Sequence, residues 1–274
     1  MDESRRCFLK TAGASIVGMG VGASAVTALA DALGDTPYLG AKTAKRWAMV
    51  IDTRSCAETK GCTKCMDACH RVHNVPTIED PRHEVKWIWK EPFRHAFPSM
   101  FEGTHGYEDR VQPLDWLKDR DVMVLCNHCD NPPCVRVCPT QATWKREDGI
   151  VMMDMHRCIG CRFCVVGCPY GSRSFNWKDP FGKPGSEERK NAKLDPSFPT
   201  RTKGVVEKCN FCAERLAKGM MPACVETCAK EGPGSLTFGD LADSESEVAA
   251  ILKQAYTIRR KAALGTSPHI FYVV

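Results

Sequence analysis

Residues 148–177 read DGIVMMDMHRCIGCRFCVVGCPYGSRSFNW. Within them Cys158, Cys161, Cys164 and Cys168 stand at gaps of x2, x2 and x3, and Pro169 follows directly. Three more quartets vary that spacing. Cys126, Cys129, Cys134 and Cys138 stretch one gap to x4 and keep a trailing Pro139. Cys209, Cys212, Cys224 and Cys228 stretch one gap to x11, and Cys56, Cys62, Cys65 and Cys69 open with x5. Of the chain's 17 cysteines only Cys7, near the N-terminus, stands outside a quartet.

Three chemistries use cysteine at this density, and spacing separates them. A disulfide scaffold suits an oxidising compartment but gives no reason for four repeats of C-x2-C. A zinc ribbon uses C-x2-C pairs without needing a third cysteine nearby. A cubane iron–sulfur cluster needs a close trio to wrap three corners and a more distant thiolate for the fourth. The run C-x2-C-x2-C-x3-C-P supplies this, its fourth cysteine ligating the other cluster of a two-cluster unit. The trailing cysteine is expected at the start of a helix, pointing away from its own trio, with proline tolerated in the first turn. Only 19 residues separate the second and third runs, the length of a hairpin over Ala142 to Met153; these two are therefore paired. The predicted ligand sets are Cys126, Cys129, Cys134 with Cys168, and Cys158, Cys161, Cys164 with Cys138. The remaining runs give Cys56, Cys62, Cys65 with Cys228, and Cys209, Cys212, Cys224 with Cys69. Four [4Fe–4S] clusters are expected, the x5 gap leaving the Cys56 site open to [4Fe–4S] or [3Fe–4S].

A short apolar strand precedes each run: Trp47 to Ile51, Val122 to Leu125, Ile150 to Met153 and Gly204 to Val206. Returning strands are expected at Ser174 to Trp177 and Ser235 to Phe238. The expected fold is α+β, with tandem ferredoxin-like lobes and the inner lobe inserted in the outer one. The outer lobe takes 47–69 and 204–274, and the inner lobe 122–177. Residues 70–121 form an insertion and 178–203 a polar surface loop. Helical spacing at Val248, Ile251, Leu252 and Tyr256 marks a helix over Ser244 to Tyr256, and His269 to Val274 a closing strand. The aromatic stretch Trp87 to Phe101 admits two readings, a docking surface or a patch packed on the outer lobe. His70, His73, His83 and His95 lack a tight ligand pattern and read as solvated or hydrogen-bonded. Lys208, Arg157 and Arg162 adjoin cluster cysteines, as tuning charges or plain surface ones.

Hydrophobic residues make up 43% and charged residues 26%, an ordinary globular balance. The net charge of +5 offsets anionic clusters better than it indicates nucleic acid, which is not expected as a partner. Residues 1–30 read as a twin-arginine signal: Ser4-Arg5-Arg6-Cys7-Phe8-Leu9-Lys10, a weakly apolar stretch, and Ala28-Leu29-Ala30 as a cleavage site. A retained anchor is the alternative reading of that segment. Export of a folded chain suits a cofactor inserted in the cytoplasm, and the expected location is periplasmic. No later segment approaches 18 apolar residues, so membrane attachment would come through partners. No nucleophile constellation or nucleotide loop appears, and no catalytic site is expected beyond redox relay.

The runs CNHCDNPPCVRVCPTQAT at 126–143 and KCNFCAERLAKGMMPACVETC at 208–228, with residues 148–177, resemble the four-cluster subunits of dimethyl-sulfoxide and polysulfide reductases. That resemblance, over about residues 47–240, implies a wire carrying single electrons between a quinone-reactive membrane subunit and a catalytic or haem-bearing partner. IDTRSCAETKGCTKCMDACHRVHNVP at 51–76 and HEVKWIWKEPFRHAFP at 83–98 look like the periplasmic iron–sulfur subunits of DsrMKJOP complexes of sulfur-metabolising prokaryotes. What this implies is a set of partners: an NrfD-like DsrP, a cytochrome c DsrJ, and DsrM-like and DsrK-like subunits, in sulfite or sulfate respiration. The alternatives are the iron–sulfur subunit of a periplasmic molybdopterin oxidoreductase and a structural metal-binding module without redox turnover.

Overall fold

The computed structural model describes residues 42–100, 116–183 and 185–274. The twin-arginine segment therefore lies outside the described residues, as does part of the 70–121 insertion. In chain order the elements begin with β1 (Trp47–Asp52), α1 (Thr53–Glu58), α2 (Lys64–Val72), β2 (Ile88–Pro92) and α3 (Phe93–Ala96). Next come β3 (Asp121–Leu125), α4 (Pro133–Arg136), β4 (Thr143–Lys145), β5 (Val151–Met153), α5 (Phe163–Val166) and β6 (Ser174–Phe175). The chain continues with α6 (Glu187–Asn191), β7 (Val206–Glu207), α7 (Ala213–Leu216) and α8 (Ala223–Glu231). It closes with β8 (Leu236–Asp240), α9 (Glu247–Gln254), β9 (Thr257–Ile258) and β10 (Ile270–Val273).

The largest sheet has the order β8-β1-β10-β9. Its centre, β1, is WAMVID, apolar on both faces because both are covered. Trp47, Met49 and Ile51 join the main core, while Ala48 and Val50 meet Val248 of α9 on the other side. This is the two-residue side-chain period of a strand. β1 runs antiparallel to β8 and parallel to β10, so the first and last described strands lie side by side in one sheet. α9 starts where Ser246 Oγ accepts from Ala249 N at 3.2 Å, a side-chain cap that trims the expected helix to Glu247–Gln254.

Burial decides how the aromatic stretch is used. β2 pairs antiparallel with β3, and Trp87, Phe93 and Phe97 are buried. Phe97 stands on Phe93 at 4.5 Å and edge-on to Tyr272 of β10 at 5.0 Å. As far as it is described, up to Met100, the stretch packs over the main sheet and is no free surface.

β4 and β5 form the expected hairpin, Thr143 opposite Met153, around a turn at Gly149. The strand expected at Gly204 to Val206 sits later, at Val206–Glu207, paired with β6. Gly204 has φ +93°, a left-handed turn conformation that keeps it out of the strand. The main core runs from β1 and β8 through β2 and β3 to Ile150, whereas a second buried group consists of Cys134, Val151, Cys164 and Val206.

Candidate metal centres

The C-x2-C loops share one backbone device. The residue just before the second cysteine is left-handed in three of them: His128 at φ +41°, Gly160 at +70° and Phe211 at +56°. That conformation costs a non-glycine residue energy and is kept where the surroundings over-determine it. It curls the loop so that both thiols face one centre. At Gly160 space forbids anything larger, since a Cβ there would stand 2.3 Å from the Gly204 carbonyl oxygen. His128 and Phe211, both fully buried, stack on one another at 3.7 Å, so two of the loops face each other across a dry seam.

The fourth cysteines are placed differently from the sequence expectation. Cys69 lies inside α2 and Cys228 inside α8, each one turn after Cys65 or Cys224 on the same helix. Cys138 and Cys168 follow the single-turn helices α4 and α5, their N–H groups donating to Val135 O and Val165 O. The trailing prolines thus stop a turn that has ended. The physical reason is the i, i+4 geometry, which sets two thiols one helical turn apart and lets them serve two neighbouring centres. α2 packs against α8, so this pair of helices presents Cys65, Cys69, Cys224 and Cys228 together.

Cys56, Cys62, Cys65 and Cys228 line one recess with Lys64, Lys90, Met123 and Ser235. The x5 gap is taken up by α1, which carries Cys56 and is capped by Asp52. Burial, then Cys56 and Cys228, push the Cys65 thiol to about 12. Cys69 is raised well above the ordinary range by burial and by its neighbours Cys209, Cys212 and Cys224. Burial and then Cys126 push Cys129 to about 12, with Cys134 and Cys168 also near. Cys164 is raised by burial, with Cys134 and Cys158 beside it. Burial also acts on Cys138, but hydrogen bonds from Thr143, Thr140 and Ala142 outweigh it and hold that thiol low. Val137, next to Cys138, lies 3.2 Å from the Cβ position of Gly167, next to Cys168, so the two trailing cysteines sit on adjoining turns.

All sixteen quartet cysteines, which are those among the described residues, are free thiols. A buried thiol with a pKa near 12 is protonated and inert at neutral pH, but coordination to a metal deprotonates it outright. Backbone donors already aim at several sulfurs: Phe211 N at Cys209 Sγ (3.4 Å), Ala223 N at Cys212 Sγ (3.4 Å) and Val206 N at Cys158 Sγ (3.5 Å). These residues fit [4Fe–4S] clusters.

Of the histidines, His73 is buried, its Nε2 2.7 Å from Glu214 Oε1 and its Nδ1 3.0 Å from the Cys69 carbonyl. Burial would raise Glu214, but the His73 hydrogen bond outweighs it and keeps the carboxyl below its usual range. Donor atoms of His73, Cys212 and Glu214 lie within 4.8 Å of one another, though both ring nitrogens are already engaged. Lys208 is buried, with Nζ donating to Cys209 O at 2.6 Å and to Val151 O, while Arg157 and Arg162 are exposed. Sequence reasoning missed Arg173, whose Nη2 reaches Cys134 Sγ at 3.0 Å. Its signal was a charge placed against strand β6, five residues after Cys168.

Residues 122–183 and 193–240 match the family model described as a 4Fe-4S dicluster domain. The Hdr-like menaquinol oxidoreductase iron-sulfur subunit 1 of Archaeoglobus fulgidus is 37% identical over 98% of this chain and 97% of its own length. This protein belongs to the iron–sulfur electron-transfer subunits of menaquinol, polysulfide and tetrathionate oxidoreductase complexes. The B component of tetrathionate reductase from Salmonella typhimurium is 35% identical over 100% of this chain and 89% of its own. The B component of polysulfide reductase from Wolinella succinogenes is 32% identical over 84% of this chain and 95% of its own. Membership carries [4Fe–4S] clusters as the cofactor. No helix among the described residues is long and apolar enough to cross a membrane.

Proposed function

We propose that the sixteen thiols hold four [4Fe–4S] clusters in crossed sets and that the chain relays single electrons along them. The sets are Cys56, Cys62, Cys65 with Cys228; Cys69 with Cys209, Cys212, Cys224; Cys126, Cys129, Cys134 with Cys168; and Cys138 with Cys158, Cys161, Cys164. One observation carries this reading: the four groups follow one another in a single file. Cys65 and Cys224 join the first to the second on packed helices, His128 of the third group's loop stacks on Phe211 of the second's at 3.7 Å, and Cys134 and Cys164 of the third and fourth share one buried cluster. A cubane at each site would exchange one electron at a time, its potential set by hydrogen bonds, charge and burial.

At the last group, Cys138, Cys158 and Cys161 are half-buried, and Ile159, Phe163 and Val166 are 67%, 59% and 86% exposed around them. Exposed Arg136, Arg157 and Arg162 rim this apolar collar. Such a patch beside a redox centre suits a partner surface, and we assign it to a quinone-reactive membrane subunit of the NrfD type. The full-length likeness to the menaquinol oxidoreductase subunit favours a menaquinol-linked, DsrO-type role in sulfur respiration. On that reading the chain sits at the periplasmic face with DsrP-, DsrJ-, DsrM- and DsrK-like partners. The full-length likeness to the tetrathionate reductase component supports a second reading, service to a molybdopterin enzyme.

Three measurements separate these readings. Iron should approach about sixteen atoms per chain, four per cubane; about half of that would leave one pair of groups empty. Cys138→Ser should remove the spectroscopic signal of the Cys158, Cys161, Cys164 cluster, and loss of the Cys126 cluster instead would refute crossed ligation. A molybdopterin subunit in the native complex would overturn the menaquinol-linked choice.

A further inference from the structure

Arg173 is 4% exposed and stands between the third and fourth cysteine groups. Its Nη2 donates to Cys134 Sγ at 3.0 Å and to Thr143 Oγ1 at 2.7 Å, and its Nη1 reaches Met153 Sδ at 3.6 Å. Cys134 belongs to the third group and shares one buried cluster with Cys164 of the fourth. Other buried arginines are paired with carboxylates: Arg201 with Glu207 at 2.6 Å and Arg260 with Glu91 at 2.7 Å. Among the described residues Arg173 has none. Its buried Nε also lacks a partner, leaving one donor free for a cluster sulfur.

An isolated buried charge is too costly to persist without an anion beside it. The anions within reach are cysteine thiolates of two different groups. We infer that Arg173 is the shared counter-cation of the third and fourth clusters, a positioning residue that raises both reduction potentials together. The inference rests on the proposal that these groups hold clusters. Each added electron makes a cluster more negative, so a fixed cation nearby favours the reduced state. Because one guanidinium serves both sites, their potentials move in step, and the driving force for transfer between them is left unchanged.

The test is a redox titration of the full chain in its native complex, followed by electron paramagnetic resonance, for wild type, Arg173→Gln and Arg173→Lys. Arg173→Gln should lower the reduction equilibrium of two clusters at least tenfold, about 59 mV for one electron. The other two should stay in place, and Arg173→Lys should recover most of the shift. If Arg173→Gln instead loses iron from the third and fourth groups while Arg173→Lys keeps it, the counter-cation role is supported. The inference is overturned if Arg173→Gln carries full iron with unmoved potentials, if all four shift alike, or if Arg173→Lys is as defective as Arg173→Gln. Wild-type iron content separates the two levels, since a wild type lacking clusters at these groups defeats the ligand assignment and not the role of Arg173.

Discussion

The outer cysteine groups and the inner ones use the same spacing rule on different amounts of protein. In the outer pair, Cys65, Cys69, Cys224 and Cys228 sit on two nine-residue helices, and of the pair's eight cysteines all but Cys62 are buried. These helices share a core with β1, β8 and the aromatic side chains of 87–97. In the inner pair the helices are single turns of four residues, and Cys138, Cys158, Cys161 and Cys168 are half-buried. The compact buried group there holds four residues, two of them cysteines. Ordinary hydrophobic packing thus holds the outer groups, whereas the inner segment has little core without its iron. Short hairpins and single helical turns are marginal alone. The least covered group, with Cys138, Cys158 and Cys161 half-buried, is also the one bearing the exposed apolar collar, so shallow burial and partner access go together.

The largest test of this contrast is iron removal. Chelation under anaerobic conditions should cut amide-exchange protection over 126–168 on the order of 100-fold, while β1, β8 and β10 keep most of theirs. Equal loss in both regions would show that the outer sheet depends on iron as much.

The seam between the regions comes next. Arg201 and Glu207 are both fully buried, and Glu207 also accepts from Trp87 Nε1 at 2.7 Å and Asn176 Nδ2 at 2.6 Å. Arg201→Met should cost about 3 kcal/mol by stranding a buried carboxylate. Glu207→Gln, which keeps the hydrogen bond from Trp87, should cost less. Denaturant unfolding of the iron-loaded chain measures both, and a cost under about 1 kcal/mol for Arg201→Met would mean that the ion pair contributes nothing specific.

The smallest effect concerns His269, whose backbone N–H donates to Asn127 O, tying the C-terminal strand to the loop of the third group. Burial, then Arg46, lower its pKa from 6.5 to about 4. The folded chain therefore binds fewer protons than the unfolded one between those values, so stability falls as pH drops from 6.5 towards 4. His269→Gln should flatten this slope in melting temperatures recorded across that window. An unchanged slope would place the acid sensitivity elsewhere.

Much of the architecture was legible because strands and cysteine loops are local. β1, β3, β5 and the β4–β5 hairpin lie where alternation and turn residues put them. Spacing gives a period without saying where a helix begins, so the expectation of trailing cysteines at helix starts fails. Packing of α2 on α8 and the single-turn length of α4 and α5 set those boundaries instead. The fate of Trp87, Phe93 and Phe97 could not be read, since apolar side chains look alike whether they cover a core or face a partner.

By itself the sequence determined the chemistry: four quartets at ferredoxin spacing, an α+β chain and a redox cofactor. That follows because three of a cubane's four thiolates come from one short run, so the spacing of each run alone points to the cofactor. Only the tertiary structure decided the order of the groups, the absorption of the x5 gap by α1, and the placing of Arg173 between two of them. Those depend on residues from 39 to more than 160 positions apart meeting in space, as Cys134 meets Arg173 and Cys56 meets Cys228, which no local pattern encodes.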